Sequence, residues 1–179
     1  SKYLPAEIMR TFLGGRGANM WLLYNLLQEE KDALDPEIPL IFGSGVLTSV
    51  MPSATRGNFT SKSPDSYAIL DANGGDYFPA FLKRHGYDHL VLYGKAAQWT
   101  LPYAGLDNLD TAAAVERDFN CKERKDMALA RITSAGENGV LCAGIMGGIK
   151  AIWARGGGGA KMGAHNLKAI MIHGRPPEI

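Results

Sequence analysis

Apolar residues fall at helical spacing in three stretches of the chain. Residues 5–34 predict a short helix, a glycine turn at 14–17 and a second helix that ends at the segment Gln-Glu-Glu, 28–30. Residues 77–85 place large apolar side chains on one helical face, with Gly86 as the expected stop. Residues 107–126 are polar with a thin apolar stripe, which predicts a helix on the surface.

Short apolar or alternating runs outnumber these helices and predict strands. They lie at residues 39–42, 56–62, 67–70, 89–94, 127–133, 140–146 and 169–174, with 99–103 as a candidate partner of the run at 89–94. Few helices separate these strands in a βαβ rhythm. We therefore expect an α+β fold of two packed layers, with mostly antiparallel or mixed sheets and with glycine-rich loops on one face. A length of 179 residues fits a single domain over 1–179.

Glycine is the compositional outlier, since the chain has 22 glycines in 179 residues where globular proteins use about 7%. They gather at 14–17, 43–45, 73–75 and 156–163, and Arg16, Arg56 and Arg155 each adjoin a glycine. Glycine lets backbone amides approach a ligand, and a neighbouring guanidinium suits phosphate. For any one loop an ordinary turn is the simpler interpretation. The loop at 155–163, which contains four consecutive glycines, favours a ligand site as a whole.

Several other classes of function are disfavoured by the sequence. Neither a nucleotide-hydrolase phosphate loop, a dinucleotide fingerprint nor a nucleophile elbow is present. The net charge of +1 disfavours nucleic-acid binding. The four histidines form no ligand cluster, and two cysteines cannot make a four-thiolate site; we expect Cys142 in a core strand and Cys121 at the surface. No apolar run is long enough for a membrane span and no signal peptide is visible, so we expect a cytoplasmic protein.

The glycine-rich motifs, in their order, resemble the N-terminal domain of the aldehyde:ferredoxin oxidoreductase family, whose members are tungsten (sometimes molybdenum) pterin enzymes. The resemblance covers about residues 12–174 without a large gap. The matching segments are Phe-Leu-Gly-Gly-Arg-Gly at 12–17, Asp-Pro-Glu at 35–37, Pro-Leu-Ile-Phe at 39–42, Gly-Val-Leu-Thr at 45–48, Arg56 with Thr-Ser-Lys-Ser-Pro at 60–64, Ala-Asn-Gly-Gly at 72–75 with Tyr-Phe at 77–78, Gly-Tyr-Asp at 86–88, Gly-Lys-Ala at 94–96, Ala-Gly-Glu-Asn at 135–138, Arg-Gly-Gly at 155–157, Gly-Ala at 159–160, Met-Gly at 162–163 and Asn-Leu-Lys-Ala-Ile at 166–170.

The resemblance implies that the domain is a base of two sheets on which a bis-pterin tungsten or molybdenum cofactor lies. Arg56 matches the arginine between the pterin and an iron–sulfur cluster, while Asn73 and Gly75 match contacts to the pterin phosphate and a bridging magnesium. The implied cofactor-binding residues are Arg56, Gly57, Ala72, Asn73, Gly74, Gly75, Ala151, Ile152, Ala154, Arg155 and Gly156, with magnesium held by the backbone carbonyls of Asn73 and Ile152.

The chain departs from the family pattern at Lys-Ala-Ile-Trp-Ala, 150–154, where the family has an arginine and small residues. The family's cluster cysteines and proton-transfer acid belong to later domains, so we expect no catalytic residue here and a [4Fe-4S] cluster held outside this chain. The implied reaction is oxidation of an aldehyde to a carboxylate, with electrons passing through the cluster to ferredoxin and with the remaining domains or a second subunit as partners. The alternative is a non-enzymatic domain that binds a phosphorylated ligand or serves as an assembly subunit.

Overall fold

The computed structural model describes residues 3–27, 29–99 and 102–174. Within these ranges the helices are α1 (Ala6–Phe12), α2 (Gly15–Leu26), α3 (Phe78–Arg84), α4 (Asn108–Asp118), α5 (Ser134–Glu137) and α6 (Gly158–Ala164). The strands are β1 (Leu40–Ser44), β2 (Gly57–Lys62), β3 (Ile69–Gly74), β4 (His89–Leu92), β5 (Met127–Arg131), β6 (Ile145–Met146), β7 (Ile152–Trp153) and β8 (Ala169–His173).

The strands form two antiparallel sheets, and this arrangement confirms the expected α+β class. The first sheet has the order β3-β2-β1-β4 and the second has the order β7-β6-β5-β8. In the first sheet Phe42 pairs with Phe59, and Phe59 pairs with Ala72. In the second sheet β5 pairs with the final strand β8 over its whole length. β3 and β7 are therefore edge strands of their respective sheets.

The main core is shared by both sheets and by helices α3 and α6. Its centre is aromatic: the ring of Phe42 lies 4.7 Å from that of Phe59, 5.5 Å from that of Phe78 and 5.8 Å from that of Trp153. Ala128, Ala130 and Ile145 supply the apolar surface of the second sheet, and Met162 supplies that of α6. Tilted and edge-on ring pairs of this kind add to the stabilisation from burial.

Helices cover the opposite faces of the two sheets. Leu23 and Asn19 of α2 are buried, and Asn19 hydrogen-bonds to backbone carbonyls of β1 and β2. On the second sheet, Val115 of α4 packs with Met127 and Leu129 of β5. Asp107 caps α4 by accepting hydrogen bonds from the amides of residues 109 and 110. Among the described residues, no helix combines the length and the apolar character needed to cross a lipid bilayer.

The structure corrects three local expectations. Strand β3 runs through Gly74, so the segment 71–74 is part of the sheet rather than a loop. The strand expected at 140–146 shrinks to Ile145–Met146, because the amide of Ala143 bonds back to Val140 and its carbonyl accepts from Gly159. The helical Gly158–Ala164 replaces most of the expected 156–163 loop. Residues 100 and 101 of the candidate strand at 99–103 lie outside the described residues.

The burial of the two cysteines is the reverse of what the sequence predicts. Cys121 is buried beneath α4, where it packs with Val115 and Met127. Cys142 is exposed, because the segment that carries it is a turn instead of a core strand. Burial raises the pKa of the Cys121 thiol, and the negative charges of Asp126 and Glu116 add to that effect.

Candidate functional site

The edge strands of the two sheets meet at Trp153. A Cβ atom on Gly74 would lie 2.6 Å from Trp153 Cδ2, and one on Gly147 would lie 2.6 Å from Trp153 Cζ3. The indole thus occupies the space that side chains at both glycines would fill. Farther along β3, a Cβ atom on Gly156 would lie 2.8 Å from Leu70 Cγ. The segments 70–75 and 151–156 are therefore in direct contact.

The segment Arg56–Gly57 joins the same edge through the first sheet. Gly57 is the antiparallel partner of Gly74. A Cβ atom on Gly57 would lie 2.6 Å from Pro79 Cγ, which explains glycine at this position. Thr48 Oγ1 donates a hydrogen bond of 3.2 Å to the Arg56 carbonyl and accepts one of 3.1 Å from the Gly45 amide. Gly45, directly after β1, thus anchors the backbone from which Arg56 projects.

Uncompensated positive charge marks this edge. Over the ranges that the structure describes, no carboxylate lies within ion-pair distance of the exposed Arg56, Lys150 or Arg155. The nearby carboxylate of Asp76 is already paired with Arg124 at 3.0 Å. Guanidinium groups free of internal partners are suited to bind phosphate oxygens.

Asn73 presents a polar side chain at the centre of the edge. Asn73 is exposed, and its Oδ1 atom accepts a hydrogen bond of 3.2 Å from Asn58 Nδ2. Within the described residues, the side-chain nitrogen of Asn73 donates no hydrogen bond, so it is available to a ligand. Gly75, two residues farther, has no atom within 4 Å of the place where a Cβ would be. The backbone at Gly75 is therefore open to a ligand, whereas Trp153 covers Gly74.

A metal ion here would need oxygen ligands from the backbone and from a bound molecule. In the parts of the chain that the structure describes, no group of three or more His, Cys, Asp or Glu side chains could hold one. Asn73 and Ile152 lie on edge strands, which leave alternate carbonyls outside their ladders. Magnesium prefers oxygen ligands and keeps several waters. Two backbone carbonyls together with phosphate oxygens are compatible with that preference.

A surface cavity of about 440 Å³ opens between the loop 49–55 and helix α3. Its wall includes Asp76, Tyr77 and Arg84. Arg124, whose Nη2 atom pairs with Asp76, also lies with its guanidinium carbon 5.4 Å from the centre of the Tyr77 ring. The charged and aromatic groups next to Gly75 are thus held in a fixed arrangement.

The glycines of α6 have a different role from the one expected from sequence. A Cβ atom on Gly159 would lie 2.5 Å from the Gly144 carbonyl oxygen, and one on Gly163 would lie 2.1 Å from the Gly136 carbonyl oxygen. These glycines allow α6 to pack directly against neighbouring backbone, and they are buried. The expectation that the whole 156–163 run lines a ligand site is corrected: only its beginning, with Arg155 and Gly156, lies along β3.

Sequence reasoning missed two residues of this edge. Asn58 lies inside β2, and nothing in the pattern of that strand marks its side chain as the support of Asn73. Asp76 has a φ of +69°, a conformation that only a few per cent of non-glycine residues adopt. A Cβ atom on Gly148 would lie 2.0 Å from Asp76 Oδ2, so Asp76 packs directly against the turn between β6 and β7. Its position directly after two glycines was the available signal.

Comparisons with known proteins agree with this geometry. The chain matches the family model "Aldehyde ferredoxin oxidoreductase, N-terminal domain" over residues 1–103 and 101–174. It is 36% identical to a tungsten-containing aldehyde ferredoxin oxidoreductase of Pyrococcus furiosus and 33% identical to one of Thermococcus kodakarensis, in each case over 94% of this chain and 30% of the relative. It is also 28% identical to an aliphatic sulfonate oxidoreductase, WOR-like subunit, of Pyrococcus furiosus.

Among solved structures, the chain resembles the active-site complex BamBC of benzoyl coenzyme A reductase, with a TM-score of 0.90 and 27% identity. The match covers 97% of this chain and 28% of that chain. The chain thus spans about a third of the length of its relatives. Together, the family match, the identities and the shared fold show that the chain belongs to the aldehyde ferredoxin oxidoreductase family and corresponds to its N-terminal domain.

Proposed function

We propose that this chain seats a tungsten or molybdenum bis-pterin cofactor in a cytoplasmic oxidoreductase that oxidises an aldehyde to a carboxylate. The bound cofactor would supply the two-electron redox chemistry. The chain would supply the seat, the orientation and the compensating positive charge. The rest of the enzyme, whether in the same polypeptide or in a second subunit, would hold a [4Fe-4S] cluster that passes electrons to ferredoxin.

The observation that carries this proposal is the convergence of three segments at one edge of the fold. Arg56–Gly57, Ala72–Gly75 and Ala151–Gly156 adjoin one another through the Gly57–Gly74 pair and through the contacts of Trp153 with Gly74 and of Leu70 with Gly156. They combine open backbone with guanidinium groups that have no carboxylate partner in the described ranges. This combination fits an anionic, phosphate-bearing ligand and needs no titratable catalytic group from the chain.

Each segment has a distinct role in the proposed site. Arg56 would bind the anionic pterin and stabilise the negative charge of a nearby cluster, while Arg155 would bind the ligand at the other end of β3. The amide of Asn73 and the open backbone of Gly75 would contact phosphate. The carbonyls of Asn73 and Ile152 would ligate the magnesium that joins two phosphates.

The alternative is a domain that binds a phosphorylated ligand without redox chemistry. The same free guanidinium groups and open amides favour it. The two functions differ in the metal content that they predict. Only a protein that binds the pterin cofactor should copurify with tungsten or molybdenum, in an amount that matches the number of occupied sites.

The test uses the full-length protein purified under native, anaerobic conditions. We expect tungsten or molybdenum, together with pterin, to copurify with it. Arg56→Ala should lose most of this cofactor. In the fraction that stays loaded, the cluster potential should become more negative, because a nearby cation favours the reduced cluster. In Arg56→Lys the reduction potential of the cluster should return part of the way to the wild-type value, because lysine keeps the positive charge. Cofactor retention should stay low, because lysine lacks the bidentate geometry of arginine.

Arg117→Ala is the matched control, because Arg117 is an exposed arginine on α4, on the far side of the second sheet. It should leave metal content and potential unchanged. A wild-type protein that carries a phosphorylated ligand but neither tungsten nor molybdenum would establish the alternative. Full metal content in Arg56→Ala would remove Arg56 from the site.

A further inference from the structure

A line of polar side chains runs beneath the proposed site, through the first sheet. It starts at His89 on β4, continues through Asn19 on α2 and Asn58 on β2, and ends at the exposed Asn73 on β3. Asn19 is 0% exposed and Asn58 is 2% exposed. Buried amides are costly unless all their polar atoms are paired, so the fold keeps this line for a reason other than apolar packing.

The hydrogen bonds along this line all run in the same direction, from His89 towards Asn73. Asn19 Nδ2 donates to Asn58 Oδ1 at 2.9 Å, and Asn58 Nδ2 donates to Asn73 Oδ1 at 3.2 Å. Asn19 Oδ1 is therefore the atom that faces His89 Nδ1 at 2.7 Å, and His89 donates the proton. Each amide accepts a hydrogen bond from the His89 side of the line and donates one towards Asn73. The last amide, Asn73, accordingly turns its oxygen towards Asn58, which leaves its nitrogen for a ligand.

Neighbouring groups prevent the inner amides from flipping. Asn58 Oδ1 also accepts from Thr60 Oγ1, and Asn58 Nδ2 donates to Asp71 Oδ1 at 2.6 Å. A flipped Asn58 would place its oxygen against the Asp71 carboxylate. Asn19 Nδ2 also donates to the backbone carbonyls of Ile41 and Asn58, at 3.3 and 3.1 Å. The orientation of Asn73 is thus set by groups that the ligand never touches.

Gly43 provides the room for this line. A Cβ atom there would lie 2.3 Å from Asn19 Oδ1 and 2.6 Å from His89 Nδ1. Gly43 in β1 therefore makes room for the His89 end of the line, while Gly45 just after β1 anchors Arg56. Asn19 follows the glycine turn 14–17, and Arg16 of that turn pairs with Asp71 at 2.9 Å. Two glycine motifs that do not touch the proposed ligand site are thereby linked to it.

We propose that Asn58 is a positioning residue, which holds the side-chain amide of Asn73 with its N–H donors facing the anionic ligand. This inference rests on the proposed function, since it assumes that Asn73 binds phosphate oxygens. It assigns a function to Asn19 and His89 too, as the groups that keep Asn58 in register. Groups that orient a ligand-binding residue affect affinity although they make no contact with the ligand.

The test reverses the polarity of Asn58 in the full-length holoenzyme. In Asn58→Asp, one carboxylate oxygen still accepts from Asn19 and Thr60, but the other faces Asp71 and Asn73. The amide of Asn73 then turns its nitrogen inward, so we expect cofactor retention to fall about tenfold. Repulsion between Asp71 and the new carboxylate also lowers the thermal midpoint.

A double variant, Asn58→Asp with Asp71→Asn, separates positioning from stability. The amide at position 71 now donates to the carboxylate at position 58, so the thermal midpoint should recover. Asn73 still faces an acceptor, so the content of tungsten or molybdenum and of pterin should stay low. Asp71→Asn alone keeps the Asn58–Asn73 hydrogen bond and should keep the cofactor. Asn73→Asp, a change at an exposed position, should lose it.

The outcomes distinguish this inference from the proposed function. Wild-type cofactor content in the double variant, or in Asn73→Asp, overturns the positioning role whatever the stability of the other variants. If Arg56→Ala loses cofactor in the same series, the proposed function survives that result. If the wild-type protein carries no pterin metal at all, the proposed function fails and the positioning role fails with it.

Discussion

Two glycine-rich regions of this chain look alike in sequence and differ in structure. At 73–75 the glycines end an edge strand, and the position of a Cβ on Gly75 is open on all sides within 4 Å. In α6 the Cβ positions of Gly159 and Gly163 are occupied by the carbonyl oxygens of Gly144 and Gly136. The backbone at Gly75 is open, whereas α6 packs its backbone against other backbone.

The difference shows that a run of glycines indicates that some group lies close to the backbone. It does not indicate which group that is. At α6 the partner is the protein itself, through α5 and the turn before β6. At Gly75, just beyond the contact of Gly74 with Trp153, the protein leaves the space free, and exposed arginines lie nearby in sequence motifs at positions 56 and 155. The distinction decides which glycines bear on cofactor binding and which bear on folding.

The largest effect is expected in α6. Gly163→Ala forces a methyl group to within 2.1 Å of a backbone oxygen that no side-chain movement can relieve. We expect the free energy of unfolding to fall by about 3 kcal/mol or more, with α6 displaced from α5. Chemical denaturation of wild type and variant measures this change. Unaltered stability would mean that α6 does not pack on α5 as described.

The burial of α6 also predicts a pH dependence. Burial, together with the positive charge of Lys161, lowers the pKa of His165, at the end of α6, to about 4. The unfolded chain, with an ordinary histidine pKa of 6.5, binds more protons between pH 4 and 6.5. The free energy of unfolding should therefore be highest above pH 6.5. It should fall by on the order of 3 kcal/mol as the pH drops below this window.

Denaturation midpoints measured across this window test the His165 prediction. His165→Gln, which carries no titratable group, should flatten the dependence between pH 6.5 and 4. A wild-type protein equally stable at both ends of the window would show that His165 is not desolvated, and the tight packing assigned to α6 would need revision.

The smallest effect on stability is expected at the open edge. Gly75→Ala adds a methyl group where no atom lies within 4 Å, so the free energy of unfolding should change by no more than about 0.5 kcal/mol. The same methyl group projects towards the proposed ligand, so cofactor retention should decrease. This pattern is the reverse of that for Gly163→Ala. If Gly75→Ala destabilises the fold and keeps the cofactor, the two regions do not differ as described.

The sequence predicts much of this fold because hydrophobic spacing and turn residues act locally. Helices α1, α2, α3 and α4, strands β1, β2, β4, β5 and β8, and the stop at Gly86 follow from such signals. The α+β class follows from the excess of strands. The family resemblance points to the segments that converge at the β3–β7 edge, although each alone resembles an ordinary turn.

The remaining features depend on contacts between distant residues, which no local pattern encodes. Strand β3 continues to Gly74 because β2 offers it partners up to Gly57. Trp153 is accommodated because Gly74 and Gly147 lack side chains. The line from His89 to Asn73 joins four separate elements, so its existence is apparent only once the sheet is assembled.

The most direct test of the central claim is amide hydrogen exchange of the full-length protein with and without its cofactor. The cofactor-free form is obtained by expression without tungsten or molybdenum. We predict that amides at 56–57, 73–75 and 151–156 gain protection in the loaded form, while those of Gly158–Ala164 are equally protected in both. Protection that changes in α6 and is unchanged at 73–75 would contradict the assignment of the open edge as the cofactor seat.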